Sequence, residues 1–273
     1  MTSDSNRAQL FIDEVKQLTA KPCITLKPVF DREPGITDSK LGGLPYWSAD
    51  MPYPEYDGTK MSLLAQINLA DIESDLLPAT GILQFIIATG TPLIYGVNFK
   101  EPDQQETFRI VYHPDIKEAI KIDAPCLEEC ENSPLHRSVA LDLEPALSFM
   151  NMNDLAFPMI YHQVVERLFG EKNPGEIFQF FENDDMCHIE QELMFTPEPR
   201  HQVLGWPKFS QGDTRNEEQY HRFGTVLLQL DSQFTDDGEL LMWGDMGVAN
   251  FLISEENLRK LDFSSVLYAF TAS

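Results

Sequence analysis

Two stretches of this 273-residue chain repeat one another. Leu41-Gly42-Gly43-Leu44-Pro45-Tyr46-Trp47 and Val203-Leu204-Gly205-Trp206-Pro207-Lys208-Phe209 share one pattern, 162 positions apart: apolar, any, Gly, apolar, Pro, any, aromatic. A second pair follows at an offset of 163, Leu63-Leu64-Ala65-Gln66-Ile67-Asn68-Leu69 against Val226-Leu227-Leu228-Gln229-Leu230-Asp231-Ser232. A third pair reads Gly81-Ile82-Leu83-Gln84-Phe85 against Gly238-Glu239-Leu240-Leu241-Met242, at an offset of 157. Ordered blocks at nearly one offset point to an internal duplication. Two copies are too few for a solenoid, which needs at least three repeats. The expected architecture is therefore two related halves, residues 1–149 and 150–273, packed as one globule.

Each block has a physical reading. Gly-x-Pro followed by an aromatic makes a fixed turn with an apolar anchor, so Trp47 and Phe209 are expected to be buried. The run Thr225 to Leu230 is apolar on nearly every position and belongs in the middle of a sheet. Gln66 and Gln229 then become buried amides that must find partners. One reading has them satisfy backbone groups where the halves meet. The other has them line a shared cleft and present amides to a peptide-like ligand.

The remaining pattern predicts mostly strands with a few helices, an α+β fold dominated by antiparallel sheet. Leu10, Phe11, Val15 and Leu18 carry helical spacing, capped near Ser3 to Ser5 and stopped by Pro22. Cys23–Val29 alternates like a strand with one wet face. Further strands are expected at Ser62–Leu69, Gly81–Thr89, Leu93–Asn98, Phe108–His113 and Val248–Ile253, and a short acidic helix at Asp71–Leu77. Asp115–Pro145, with its prolines and its Glu128, Glu129, Glu131 cluster, reads as a connecting region. A second helix is expected from Asp154 to Phe169, with Pro158 in its first turn and Gly170 at its end. Asn183–Glu192 reads as a loop or short helix.

Charge narrows the classes of ligand. Lys and Arg number 20 against 44 Asp and Glu, a formal net charge of −24. Such a surface disfavours nucleic acid and anionic membranes, whose recognition needs basic patches. Met1 to Asp13 is polar and acidic, unlike a secretory signal. With four cysteines in so long a chain, the expectation is a cytoplasmic protein with reduced thiols, no disulfide and no structural metal.

No motif commits the chain to a reaction. Trp243-Gly244-Asp245-Met246-Gly247 reads as a tight turn in which Asp245 caps backbone N–H groups; the spacing of a phosphate loop is absent. Asp231, Asp236, Asp237 and Glu239 lack the spacing of a calcium loop. Cys126 and Cys130 have no second pair of zinc ligands. None of the six histidines forms a metal-binding pair, and Cys187-His188 cannot act as adjacent nucleophile and base in a strand. No cofactor is expected.

At these same blocks the chain resembles the YwqG-like family of uncharacterised bacterial proteins. The residues carrying the likeness are Ser39 to Pro45, Leu64 to Asn68, His201 to Pro207 with Gln211-Gly212-Asp213, Leu227 to Asp231 and Trp243 to Gly247. The resemblance covers the chain from about Lys21 onward. It implies a mainly antiparallel β fold in two related halves and no established activity. More weakly, the blocks are similar to the C-terminal part of the programmed-cell-death-protein-two family, whose members escort a basic ribosomal protein; their cysteine-rich zinc segment is absent here.

The functional expectation is a non-catalytic binding or interaction protein, chaperone-like or immunity-like, for a basic protein or peptide. Gln66, Gln229, Trp206, His201 and Asp245 are the candidate ligand-binding residues. The rival is an enzyme of unknown reaction, with acids such as Asp245 and Asp213 in a cleft between the halves.

Overall fold

The computed structural model describes residues 4–90, 92–195 and 200–272. Its strands are β1 (Lys21–Val29), β2 (Lys40–Leu41), β3 (Glu55–Tyr56), β4 (Thr59–Lys60), β5 (Ser62–Asn68), β6 (Ile82–Ile87), β7 (Phe108–His113), β8 (Val139–Ser148), β9 (Gln202–Leu204), β10 (Thr225–Asp231), β11 (Gln233–Thr235), β12 (Gly238–Leu241), β13 (Val248–Ile253) and β14 (Leu267–Thr271). Its helices are α1 (Asp4–Thr19), α2 (Phe157–Phe169), α3 (Ile177–Phe180), α4 (Asn183–Glu190) and α5 (Glu255–Arg259). The class is α+β, as the pattern predicted.

Ten strands form one antiparallel sheet in the order β14-β13-β10-β9-β1-β8-β2-β5-β6-β7. The order is symmetric about the central β1–β8 pair: β9 takes the place of β2, β10 of β5, β13 of β6 and β14 of β7. β5 and β10 each carry a bulge near their start, between Leu63 and Ala65 and between Val226 and Leu228. The first two sequence blocks thus fall on matching places. The third does not. Gly238 to Leu241 is β12, half of a two-stranded hairpin with β11 outside the main sheet. The strand standing where β6 stands is β13, preceded by Gly247. The Gly-apolar pattern matched the wrong glycine because a short hairpin and a sheet strand present the same local signal.

The sheet curls until its two ends meet. Phe85 of β6 packs against Phe251 of β13 with ring centroids 5.1 Å apart. Phe251 stacks on Tyr268 of β14 at 4.0 Å, and Phe108 of β7 meets Tyr268 edge-on at 5.3 Å. These rings, with Leu and Ile from β1, β5, β8 and β10, form the main core. Aromatic edge and stacked pairs of this kind each contribute roughly 0.5–1.5 kcal/mol beyond their buried area.

On the outer face, each Gly-x-Pro loop covers its own half. Trp47, 1% exposed, packs with Met61, Leu63 and Ile86. Phe209, 0% exposed, packs with Phe223, Val226 and Leu252. A separate cluster unites α1 (Ala8, Phe11, Ile12, Val15) with α2 (Phe157, Tyr161, Val164, Val165) and with Met186 and Ile189 of α4. Gly170 ends α2 in the left-handed conformation at φ 73°, where glycine is unstrained.

Several expectations need correction. Leu93–Asn98 is a run of turns and Asp71–Leu77 is not helical beyond a single 3-10 turn at Leu69–Asp71. The connecting region hides β8, a strand of the central pair. Pro145 argued against it, yet β2 covers only Val139 and Ala140 of β8, leaving the rest of that edge without a strand partner. Proline is tolerated on such an edge.

Lys40 is buried, and its ammonium donates to the carbonyls of Gly35 (2.9 Å) and Ile36 (3.2 Å). Burial lowers its pKa to about 8, with Asp38 opposing the shift. Between pH 8 and the unfolded value near 10.5, the unfolded chain binds more protons at this site, so stability rises with pH. The stability of the wild type relative to Lys40→Met is therefore expected to rise by roughly 2–4 kcal/mol across that window, measured by urea unfolding at each pH; a flat difference refutes this. Phe209→Ala is expected to cost ~3–5 kcal/mol, and an unchanged unfolding midpoint rules out its anchoring role.

Candidate functional site

β9 spans three residues, and it pairs with β1 only at Cys23, Ile24 and Thr25. Its one pairing with β10 is Gln202 opposite Gln229. Near Lys21 and Thr225, β1 and β10 therefore run on without a strand between them. A two-lobed cleft opens there. The first lobe, of about 490 Å³, is floored by Cys23, Ile24, Leu76 and Leu204 and edged by Glu73 and Asp75. The second, of about 580 Å³, is lined by Trp206, Asp154, Arg215, His221 and Arg222. Lys21, Thr225 and Glu255 belong to both. Glu73 to Leu76 come from the loop after β5, so the first lobe draws on both halves of the chain.

The backbone at the cleft is held under constraint. Leu204 and Gly205 are both left-handed, at φ 64° and 77°. A Cβ on Gly205 would lie 2.2 Å from Ser148 Oγ and 2.9 Å from Cys23 Cβ, so only glycine fits. Leu204 has no such exemption and carries strain of order 1–3 kcal/mol. The next N–H, on Trp206, donates to Ser148 Oγ at 2.8 Å. The Trp206 indole N–H donates to the Thr19 carbonyl at the end of α1.

The charged groups divide into those already paired and those still open. Lys21 Nζ sits 3.3 Å from the centre of the Trp206 ring, a cation–π contact. Burial lowers the Lys21 pKa, against the pull of Asp154 and Glu255. Arg215 is buried and donates to Asp154 (2.8 Å) and Asp213 (2.5 Å). Burial pulls its pKa down, but the two carboxylates outweigh that and hold it above the ordinary value. Arg222 pairs with Asp103 at 3.1 Å and Glu255 with Arg259 at 2.6 Å. Glu73 and Asp75 are exposed, and among the described residues no cation lies within ion-pairing distance of either. Burial raises the Cys23 thiol to about 11, with the Ser148 hydroxyl opposing.

Of the five residues singled out from the sequence, only Trp206 lies in this cleft. Gln66 and Gln229 are 0% exposed, and their amides are consumed by the loops. Gln66 Oε1 accepts from Tyr46 N–H at 2.9 Å, and its Nε2 donates to the carbonyls of Ile36 and Asp38, each at 2.9 Å. Gln229 Oε1 accepts from Lys208 N–H at 2.8 Å, and its Nε2 donates to the Arg200 carbonyl at 3.0 Å. They satisfy backbone groups, but within each half's own loop rather than where halves meet, and neither amide is available to a ligand. His201 is also buried. Its Nδ1 accepts from Asp231 N–H at 3.1 Å, and its Nε2 meets Gln233 Oε1 at 2.6 Å, so it ties β9 to β10 and β11. Asp245 is exposed in its turn, and Asp213 is spent on Arg215 and the Leu155 N–H. Neither acid lines a lobe of the cleft.

Lys21, Arg215, Glu73 and Asp75 had no signal in the sequence, since each becomes part of a site only through contacts with distant segments. Among the described residues, no group of three or more His, Cys, Asp or Glu is placed to hold a metal ion, and no helix is long and apolar enough to cross a membrane.

Fold and cleft together define a curled antiparallel sheet protein with an open, mixed-charge cleft at its seam. A family model described as a domain of unknown function (DUF1963) matches residues 39–271, and the chain belongs to that family. No curated protein matches it.

With its pKa near 11, only about 0.1% of Cys23 is thiolate at pH 8, and the thiolate is the reactive form. Under brief iodoacetamide treatment at that pH, exposed Cys187 is expected to be alkylated well before Cys23. Peptide mass mapping reads the order; early labelling of Cys23 would show an activated thiol.

Proposed function

We propose that this chain is a non-catalytic binding protein that captures a basic protein or peptide, in a chaperone-like or immunity-like role. The observation that carries the reading is the excess of acid over the whole chain, with 12 basic against 23 acidic residues in 1–150 and 8 against 21 in 151–273. Charge spread in this way attracts a basic partner at long range and speeds its capture.

The chemistry of the cleft supports binding over catalysis. Its arginines are already tied to carboxylates, and its one thiol is held protonated. The cleft is open to solvent, whereas bond-making sites gain most from excluding water. The YwqG-like resemblance is compatible with a binding role and prescribes no reaction. The weaker likeness to a family that escorts a basic ribosomal protein points to the same class of partner, and the acidic composition suits a cytoplasmic protein.

The test is an affinity capture followed by association kinetics across a salt series, beside Glu128→Lys with Glu129→Lys. Screening limits attraction to ~8 Å near 0.15 M salt, so the association rate is expected to fall steeply as salt rises and to be lower for the charge-reversed variant. A salt-independent rate, or capture of only acidic proteins, overturns the proposal.

A further inference from the structure

The two halves of the sheet treat one matching place differently. In the first half, Gly42 and Gly43 leave β2 in the left-handed conformation, at φ 64° and 67°. In the second half, Leu204 and Gly205 do the same at the end of β9. Ser62 opens β5 opposite Ile87, and Thr225 opens β10 opposite Ile253. Gly42, Gly43 and Ser62 are therefore the counterparts of Leu204, Gly205 and Thr225, all three of which line the first lobe of the cleft.

In the first half, the chain covers this place with its own segment. Cys126 to Leu135 lies there, with a 3-10 turn at Leu127–Glu129. Leu127 and Leu135 are both 0% exposed. A Cβ on Gly42 would meet Leu135 Cδ2 at 2.5 Å, and Glu128 Oε2 accepts from Gly43 N–H at 3.3 Å. Cys130 Sγ lies 3.6 Å from Ser62 Oγ, and Ser62 is fully buried. In the second half the counterpart place is the open lobe of about 490 Å³.

We infer that this lobe is the docking site for a short segment of the basic partner, which covers Leu204, Gly205 and Thr225 as Cys126–Leu135 covers their counterparts. The inference rests on the proposed function and gives it a location. The segment needs an apolar side chain to pack on Ile24, Leu76 and Leu204. It needs a lysine or arginine beside that side chain to meet Glu73 and Asp75, rim carboxylates with no ion-pair partner among the described residues. The ammonium of Lys21, which lines both lobes, is engaged by the Trp206 ring at 3.3 Å. An apolar anchor in a pocket with charged groups at the rim is the usual division between affinity and steering in an interface.

The experiment selects a random twelve-residue phage-displayed peptide library on the full-length chain, then measures fluorescein-labelled copies of the enriched peptides by anisotropy. Four proteins are compared: wild type, Glu73→Lys with Asp75→Lys, Thr225→Trp to fill the lobe, and Asp236→Lys with Asp237→Lys as a charge-matched control on the β11–β12 hairpin. Thermal unfolding checks that each is folded. The expected result is enrichment of an apolar residue beside Lys or Arg, binding about tenfold or more weaker to both lobe variants, and near-wild-type binding to the control. Basic peptides that bind Thr225→Trp like wild type, and lose as much on the hairpin control as on the rim variant, overturn the docking site while leaving the basic-partner reading standing. A selection that returns no basic peptides overturns both.

Discussion

Two pairs of side-chain amides, buried in a largely apolar sheet, tie the Gly-x-Pro loops to its outer face. Gln66 and Gln84 hold both backbone groups of Tyr46: the N–H donates to Gln66 Oε1, and the carbonyl accepts from Gln84 Nε2 at 2.7 Å. Gln229 and Asn250 hold Lys208 in the same way, with Asn250 Nδ2 donating to its carbonyl at 2.8 Å. A buried peptide unit without partners costs about 1–3 kcal/mol per group. The amides remove that cost at the one point where each loop must cross the outer face. The first clamp extends further, since Gln84 Oε1 also meets His113 Nε2 at 3.0 Å, and burial lowers the pKa of that histidine.

From the clamps follow both the core and the cleft. Each clamped residue lies between the turn-fixing proline and the aromatic anchor, so Trp47 and Phe209 are delivered onto the outer faces of their halves. The loops in turn fix Gly42-Gly43 and Leu204-Gly205 at the ends of very short strands. Short β2 and β9 leave gaps on either side of the β1–β8 pair. One gap is closed by Cys126–Leu135, and the other stays open between Lys21 and Thr225. Arg215 holds the wall of the second lobe through Asp154 and Asp213. Removing either carboxylate would leave a buried cation short of a partner, which is the costly way to break such a pair.

Legibility differed sharply between segments. Both Gly-x-Pro-x-aromatic blocks, the burial of Trp47 and Phe209, and the strands read at Ser62–Leu69 and Thr225–Leu230, found at Ser62–Asn68 and Thr225–Asp231, could be read directly. Each rests on a local signal: a turn that needs glycine and proline, or an apolar run too dense to face water. β8 could not be read, since Pro145 and the charged Asp142 and Glu144 spell a loop; only its neighbours, full-length β1 and truncated β2, explain why such a strand is stable. The third repeat block misled because a glycine before apolar residues is equally at home in a hairpin.

The sequence by itself determined the class of fold, the paired loops, the buried glutamines and the acidic composition. These depend on composition and on neighbours a few residues away. Only the tertiary structure decided what the glutamines bond to, and that the curled sheet brings Phe85 against Phe251. It alone placed Lys21, Glu73, Trp206, Arg215 and Thr225 around one opening. Such contacts join residues up to about two hundred positions apart, and which of them form is set by strand order and sheet curvature, which no local pattern encodes.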